Sequence, residues 1–265
     1  MEAKIKIGVL ISGSGTNLQA IINSCESGAI FGDIVFVGSD TADAYGLERA
    51  KKHHIPTFVV DYRSVIQQIK NNPEKVILPG DFNLKDVLSK QSLFPSDADP
   101  EKVKHFMITR AVAEASLIDS MEPYPFDLLL LAGFMRNLTP YFIDKINQEN
   151  GRFRIMNIHP AILPAFPGVD GYGDTFRYGC KVGGCTVHFV DYGEDTGPII
   201  GQKAFQIEHN DTLSSIKEKG LALEWALYPE CIELFARGHL KTVQKEYISK
   251  QGKKSFRTVI EIKGC

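Results

Sequence analysis

The chain has 265 residues, 43% of them hydrophobic and 23% charged. A length of this order carries one or two domains, and an apolar share this ordinary supports a sizeable core and excludes wholesale disorder. Thirty Lys and Arg against thirty-two Asp and Glu leave a net charge of -2, which argues against a chain that lives on nucleic acid or on an anionic membrane.

Residues 4–12 (KIKIGVLIS), rich in Ile and Val, read as a buried strand. It starts so close to Met1 that no secretory leader is expected. Gly13-Ser14-Gly15-Thr16-Asn17 makes a turn, after which Leu18, Ile21 and Ile22 return at helical spacing. A strand at 33–38 (DIVFVG), a helix around 44–53 and a short strand at 56–60 follow. From 61 to about 102 the pattern dissolves into turn chemistry at 71–73, 79–81 and 94–100, with short helical pieces at 64–70 and 84–91. Few apolar residues lie there, so this stretch reads as a surface elaboration rather than a domain. Residues 128–131 (LLLL) form a continuous apolar run of strand length, and 154–158 (RIMNI), 185–190 (CTVHFV) and 199–207 also read as strands.

Asn210 or Asp211 is expected to cap a long helix whose stripe runs Leu213, Ile216, Gly220, Leu223, Leu227, Cys231 and Leu234. Pro229 should kink that helix or end a segment of it, and Gly238 should stop it. The tail reads as a hairpin of strands 241–248 and 255–262. Near-continuous apolar strands between amphipathic helices predict an α/β fold, a doubly wound, mostly parallel Rossmann-like sheet with helices on both faces and a C-terminal β-hairpin. The expectation is one domain over 1–265, with the elaboration at about 61–102 and an extension from about 239. No apolar run approaches the roughly 20 residues of a membrane helix, so a soluble, cytoplasmic chain with no membrane and no nucleic-acid partner is expected. The five cysteines are odd in number and widely spread, which is no disulfide framework. Four residues separate Cys180 from Cys185 and no second ligand pair follows, so no metal site is expected.

Three segments can carry chemistry. In the first turn, Gly13 and Gly15 let a ligand approach the backbone, while Ser14, Thr16 and Asn17 add polar groups at a helix N-terminus. That combination favours a phosphate. No third glycine completes a dinucleotide fingerprint and no GK[ST] follows, so a monophosphate fits better than NAD or ATP. A purely structural Gly-rich turn is the alternative. The second segment is Asn157-Ile158-His159-Pro160 at a strand end, where period-two alternation puts Asn157 and His159 on one side. Such a pair can hold a carbonyl oxygen and move a proton, although a lone strand-end histidine is more often structural. Beyond it, Gly168, Gly171 and Gly173 suggest a flexible loop. The third is the acidic loop 191–198 (DYGEDTGP), in which Asp195 can pair with His159 and raise its pKa, or simply face solvent. His188, inside a strand, reads as a core or supporting histidine. With no HExxH, paired CxxC or GxSxG, what remains is a small α/β enzyme working by polarisation and proton transfer on a phosphate-bearing substrate.

The segments 9–22 (VLISGSGTNLQAII), 42–56 (ADAYGLERAKKHHIP), 130–138 (LLAGFMRNL), 156–164 (MNIHPAILP), 184–190 (GCTVHFV), 194–202 (EDTGPIIGQ) and 224–229 (EWALYP) together resemble the glycinamide ribonucleotide formyltransferase family, among the folate-dependent formyltransferases. The resemblance implies formyl transfer from 10-formyltetrahydrofolate to the amine of glycinamide ribonucleotide, in de novo purine biosynthesis. It implies that Gly15, Thr16 and Asn17 bind the acceptor's phosphate and Glu224 its ribose, and that Met135, Arg136, Asn137, Leu138 and Asn157 border the folate pocket. Asn157, His159 and Asp195 are the implied catalytic residues. A homodimer is left open. Three places depart from the family pattern. The 61–102 stretch is longer, and Lys102, Lys104 and Arg110 are the candidates for a basic contact to the folate tail. The loop 167–176 (PGVDGYGDTF) lacks a histidine, and Leu221 stands where a basic residue sometimes occurs one turn before Glu224. The rival readings are a formyltetrahydrofolate hydrolase, a formyltransferase for another phosphorylated amine, and a silent phosphate-binding module.

Overall fold

The computed structural model describes residues 3–147 and 152–263. In chain order the first half comprises β1 (Ile5–Ile11), α1 (Thr16–Glu26), β2 (Gly32–Ser39), α2 (Tyr45–Lys52), β3 (Thr57–Val59), α3 (Tyr62–Asn71), α4 (Leu84–Lys90) and α5 (Pro100–Met121). The second half comprises β4 (Leu128–Leu131), α6 (Pro140–Ile146), β5 (Ile155–His159), α7 (Gly171–Arg177), β6 (Val182–Phe189), β7 (Ile199–Gln206), α8 (Leu213–Ala236), β8 (Leu240–Ile248) and β9 (Lys254–Ile262). Seven strands form one sheet in the order β3-β2-β1-β4-β5-β6-β7, and β8 and β9 pair as a separate hairpin. The strands from β3 to β5 run parallel, and β6 and β7 are antiparallel additions at one edge. This is the doubly wound, mostly parallel sheet and C-terminal hairpin that the sequence predicts.

The LLLL run is apolar on both sides because β4 is buried on both faces. Leu128 and Leu130 join a core with Ile21, Leu47 and Leu227 from α1, α2 and α8. Leu129 and Leu131 point the other way, to Leu117 of α5 and Phe142 of α6. A third cluster of Val87, Val103, Met107, Ala111 and Tyr141 ties α4 to α5 and α6, so the stretch read as poor in apolar residues helps to build a small core of its own.

Four local expectations differ from the structure. The glycine-rich run is not a flexible loop from Gly171 onward but α7, buried along Gly171–Gly173 and Thr175. Its glycines fit a crowded corner, since a Cβ at Gly171 would come 2.6 Å from the Pro160 carbonyl oxygen. Helix α8 is capped by Thr212 rather than Asn210 or Asp211, through a capping box in which Thr212 and Ser215 exchange side-chain-to-backbone bonds. It also runs unbroken through Pro229, with buried Leu227, Tyr228, Cys231 and Ile232 holding the chain against the sheet on either side. That packing offsets the backbone bond a proline removes. Gly238 does stop it, at φ +66. The 22-residue α5 was not expected, because buried Thr109 and Glu114 interrupt its apolar stripe. Among the described residues no helix is long and apolar enough to cross a membrane.

Candidate active site

In the parallel part of the sheet, the strand order reverses at β1, which has β2 on one side and β4 on the other. Ligands of such sheets bind beyond the strand C-termini at that switch point. Here a cavity of about 240 Å³ lies there, bordered by residues following β1, β4 and β5 and by the loop after β6. Asn17, Met135, Arg136, Asn137, Leu138, Asn157, His159, Asp195 and Glu224 all line it.

Asn157 and His159 reach it from one face of β5, as their two-residue spacing requires. Opposite Asn157 in the β5–β6 ladder stands His188, which the sequence offered only as a core or supporting residue and which also lines the cavity. The His188 Nδ1 lies 2.8 Å from the Phe189 carbonyl oxygen. Only an N–H can make that contact, and Nε2 lies 3.2 Å from the Asn157 amide nitrogen and 3.5 Å from Asp195 Oδ1, so the neutral ring accepts from Asn157 and the charged ring donates to Asp195. An amide nitrogen carries two N–H groups, so with the His188 ring neutral the second is left for a ligand.

His159 is almost wholly buried. Its Nε2 lies 2.8 Å from the Phe166 carbonyl oxygen and its Nδ1 3.1 Å from Asp195 Oδ2, which also accepts from the Gly168 N–H at 2.8 Å. Three non-glycine residues among those described have left-handed backbones, His54, Phe166 and Asp195. Two of the three supply the partners of His159, so local strain is concentrated where the ring is oriented. The expected rise in the His159 pKa is not found. Burial disfavours the imidazolium and outweighs the upward pull of Asp195 and of the Phe166 carbonyl, so the pKa falls below its ordinary value. For Asp195, burial pushes the carboxyl up, but His188, His159 and the Gly168 N–H together hold it below its usual range. With Nε2–H committed to Phe166, the neutral ring turns its Nδ1 lone pair to Asp195 Oδ2, so a proton taken up by the pair has a place between the two atoms.

The turn before α1 is built by two glycines in contact. Gly15, at φ +69, would place a Cβ 2.6 Å from the Gly46 Cα. The Gly46 N–H donates to the Gly13 carbonyl at 3.0 Å, and Arg49 Nε donates to the Ser14 carbonyl at 2.9 Å. Helix α2 therefore braces the turn, and Arg49 brings a cation to it that the sequence reading passed over. Of the implied phosphate residues, Asn17 faces the cavity, whereas Thr16 lines a separate hollow beside Arg49 and Trp225. The Asn17 Nδ2 donates to Glu224 Oε2 at 2.6 Å, joining α1 to α8.

The 135–138 segment is pinned by its backbone and its ends. The Met135 N–H donates to Ser12 Oγ at 2.8 Å, Asn137 Nδ2 to Glu194 Oε1 at 3.2 Å, and Arg136 Nε to the buried Asp40 carboxylate at 2.5 Å. Of the three basic candidates for the folate tail, Lys102 and Lys104 are exposed at the start of α5. Arg110 instead approaches the Tyr62 ring, which the Arg136 guanidinium also faces.

A family model described as formyl transferase matches residues 5–232. The chain belongs to this formyl transferase family. It is 32% identical to the phosphoribosylglycinamide formyltransferase of Bacillus subtilis (strain 168) over 86% of this chain and 93% of that one. It is likewise 32% identical to a trifunctional purine biosynthetic protein adenosine-3 of Chironomus tentans, over 91% of this chain but only 14% of that protein's length. Among solved structures, glycinamide ribonucleotide transformylase 1 of Symbiobacterium toebii superposes with a TM-score of 0.71 at 35% identity, covering 99% of this chain and 95% of that one. The formyl transferase fold is thus shared along nearly the whole chain.

Proposed function

We propose that this formyltransferase moves the formyl group of 10-formyltetrahydrofolate to the primary amine of glycinamide ribonucleotide, a step of de novo purine biosynthesis, as a single cytoplasmic unit. The observation that carries the reading is the convergence of Asn157, His159 and Asp195 with Asn17 and Glu224 on one cavity. The turn at Gly15, Thr16 and Asn17, with the unpaired N–H groups that open α1, would hold the acceptor's phosphate. Glu224 would accept from its ribose hydroxyls. Leu131, Phe134, Leu138 and Val190 give the same cavity an apolar wall suited to a pterin ring, and Met135, Arg136 and Asn137 border it.

The folate supplies a formyl carbon bound to a nitrogen that departs. As the acceptor amine adds to that carbon, negative charge grows on the formyl oxygen. The free N–H of Asn157, fixed by His188, is preorganised to meet it, so it costs no reorientation in the transition state. The His159–Asp195 pair can take the proton of the attacking amine and pass it to the departing nitrogen, directly or through water. Holding both substrates in one cavity replaces a bimolecular encounter and needs no covalent bond to the enzyme.

The test mixes the purified chain with 10-formyltetrahydrofolate, with and without glycinamide ribonucleotide, and follows deformylation of the folate. Turnover that requires the ribonucleotide is expected. Equal turnover without it means that water takes the formyl group and overturns the reading in favour of a hydrolase.

A further inference from the structure

Both oxygens of the Glu224 carboxylate are engaged by neighbouring side chains. Asn17 Nδ2 donates to Oε2, and the Tyr172 hydroxyl donates to Oε1, each at 2.6 Å. The three side chains are buried, with Asn17 at 9%, Tyr172 at 5% and Glu224 at 5% exposure. A carboxylate accepts about four hydrogen bonds, so two lone pairs of Glu224 remain for a ligand. Asn17 and Glu224 border the cavity and Tyr172 stands outside its lining. The phenol reaches Glu224 across α8 only because residue 220 is glycine. A Cβ there would come 2.1 Å from Tyr172 Cζ and 2.3 Å from its hydroxyl oxygen. The ring is carried by α7, the helix seated against the Pro160 carbonyl, directly after the strand end that holds His159. This is the segment in which the sequence departs from the family pattern.

We infer that Tyr172 is a positioning residue for the acceptor: its hydroxyl, seated over Gly220, fixes the Glu224 carboxylate with its two free lone pairs toward the cavity, where they take the vicinal hydroxyls of the acceptor's ribose. The inference rests on the function proposed above. Burial pushes the Glu224 carboxyl up, and the bonds from Asn17 and Tyr172 oppose it. The titratable groups that face this carboxyl from the packed elements are Tyr172 of α7 and Cys185 of β6, both pushed up by burial and so uncharged. Asn17 of α1 carries no charge, and His159, His188 and Asp195 share the cavity. Without the phenol hydroxyl less opposes burial, and the Glu224 carboxyl rises further.

The test is Tyr172→Phe in the full-length chain, which keeps the ring over Gly220 and removes one hydrogen bond to a charged group. The KM for glycinamide ribonucleotide is expected to rise about tenfold or more, while kcat and the KM for 10-formyltetrahydrofolate change less than about twofold. The acid limb of kcat/KM for the ribonucleotide should move to higher pH. Gly220→Ala alters neither partner but displaces the ring, and should raise the same KM in a chain whose Glu224 and Tyr172 are intact. An acceptor KM within about twofold of wild type in Tyr172→Phe, or a loss confined to kcat, overturns the inference while the proposed function stands. A wild-type chain that neither binds nor formylates the ribonucleotide overturns both.

Discussion

His159 sits between two oxygens that each call for an N–H, the Phe166 carbonyl and the Asp195 carboxylate. Losing either member of the pair removes the group that relays the proton, so His159→Ala and Asp195→Asn are each expected to lower kcat by about 10²–10⁴, with unchanged far-UV circular dichroism. Wild-type rates in either variant contradict the mechanism. A second buried acid governs pH behaviour away from the chemistry. Burial pushes the Glu114 carboxyl up to about 7 against the opposing bonds from Thr139. A folded pKa above the ordinary carboxylate value means that its stabilising contribution is full below about pH 4.3 and is lost as pH rises through 7. Glu114→Gln keeps an acceptor for the Thr139 N–H and has no charge to form, so its Tm relative to wild type should improve as pH rises from about 4.3 to about 7 and level off above that. His159, depressed in both proteins, cancels in that comparison. A Tm difference independent of pH counts against a buried ionising Glu114. Asn157, His159 and Asp195 were legible in the sequence because a strand end and an acidic turn are places where polar side chains have reason to converge. His188 was legible as a supporting strand histidine but not as the partner of Asn157, and Tyr172 was not legible at all. Each acts through another side chain, and the partners lie 31 and 52 residues away in the chain.

Among the elements, the α1–α2 corner is constrained both by close backbone approach and by a left-handed residue. At Gly15 any other residue meets a left-handed backbone, costing about 1–2 kcal/mol, and a Cβ 2.6 Å from the Gly46 backbone. Gly15→Ala is therefore expected to lose about 2 kcal/mol or more, a fall of roughly 4–8 °C in Tm, and to weaken acceptor binding. Gly13, with open space around its missing Cβ, is the control: Gly13→Ala should leave Tm nearly unchanged, and equal losses in the two variants would remove the steric account. The strands of the sheet were readable because burial on both faces writes itself as unbroken apolar sequence. Helix α5 was hidden by buried polar residues, Thr109 and Glu114, within its inward face. Helix α7 was hidden by its glycines, which answer to neighbours in space rather than to local propensity. The cap of α8 was missed by one residue, since Asp211, Thr212 and Ser215 are all bonded together at that end.

Across the whole molecule, the two faces of the sheet carry separate apolar cores, and the larger one encloses two thiols. Cys185 of β6 and Cys231 of α8 both belong to it, and burial pushes each thiol up to about 12. Alkylation needs the thiolate and access to it. Iodoacetamide is therefore expected to label half-buried Cys180 first and to reach Cys185 and Cys231 only as the domain opens. Peptide mapping during native-state labelling checks this, and equal rates at all three sites would contradict the enclosed core. The Asn17–Glu224 bond has its own consequence for how the protein comes into being. Its two ends are 207 residues apart, and ribosomes add about 5–20 residues per second. Asn17 thus waits roughly 10–40 s on a nascent chain before its partner Glu224 has been made. Through most of its own synthesis the chain has no Glu224 to meet Asn17, and a termination product short of α8 lacks the tie between the first helix and the last altogether.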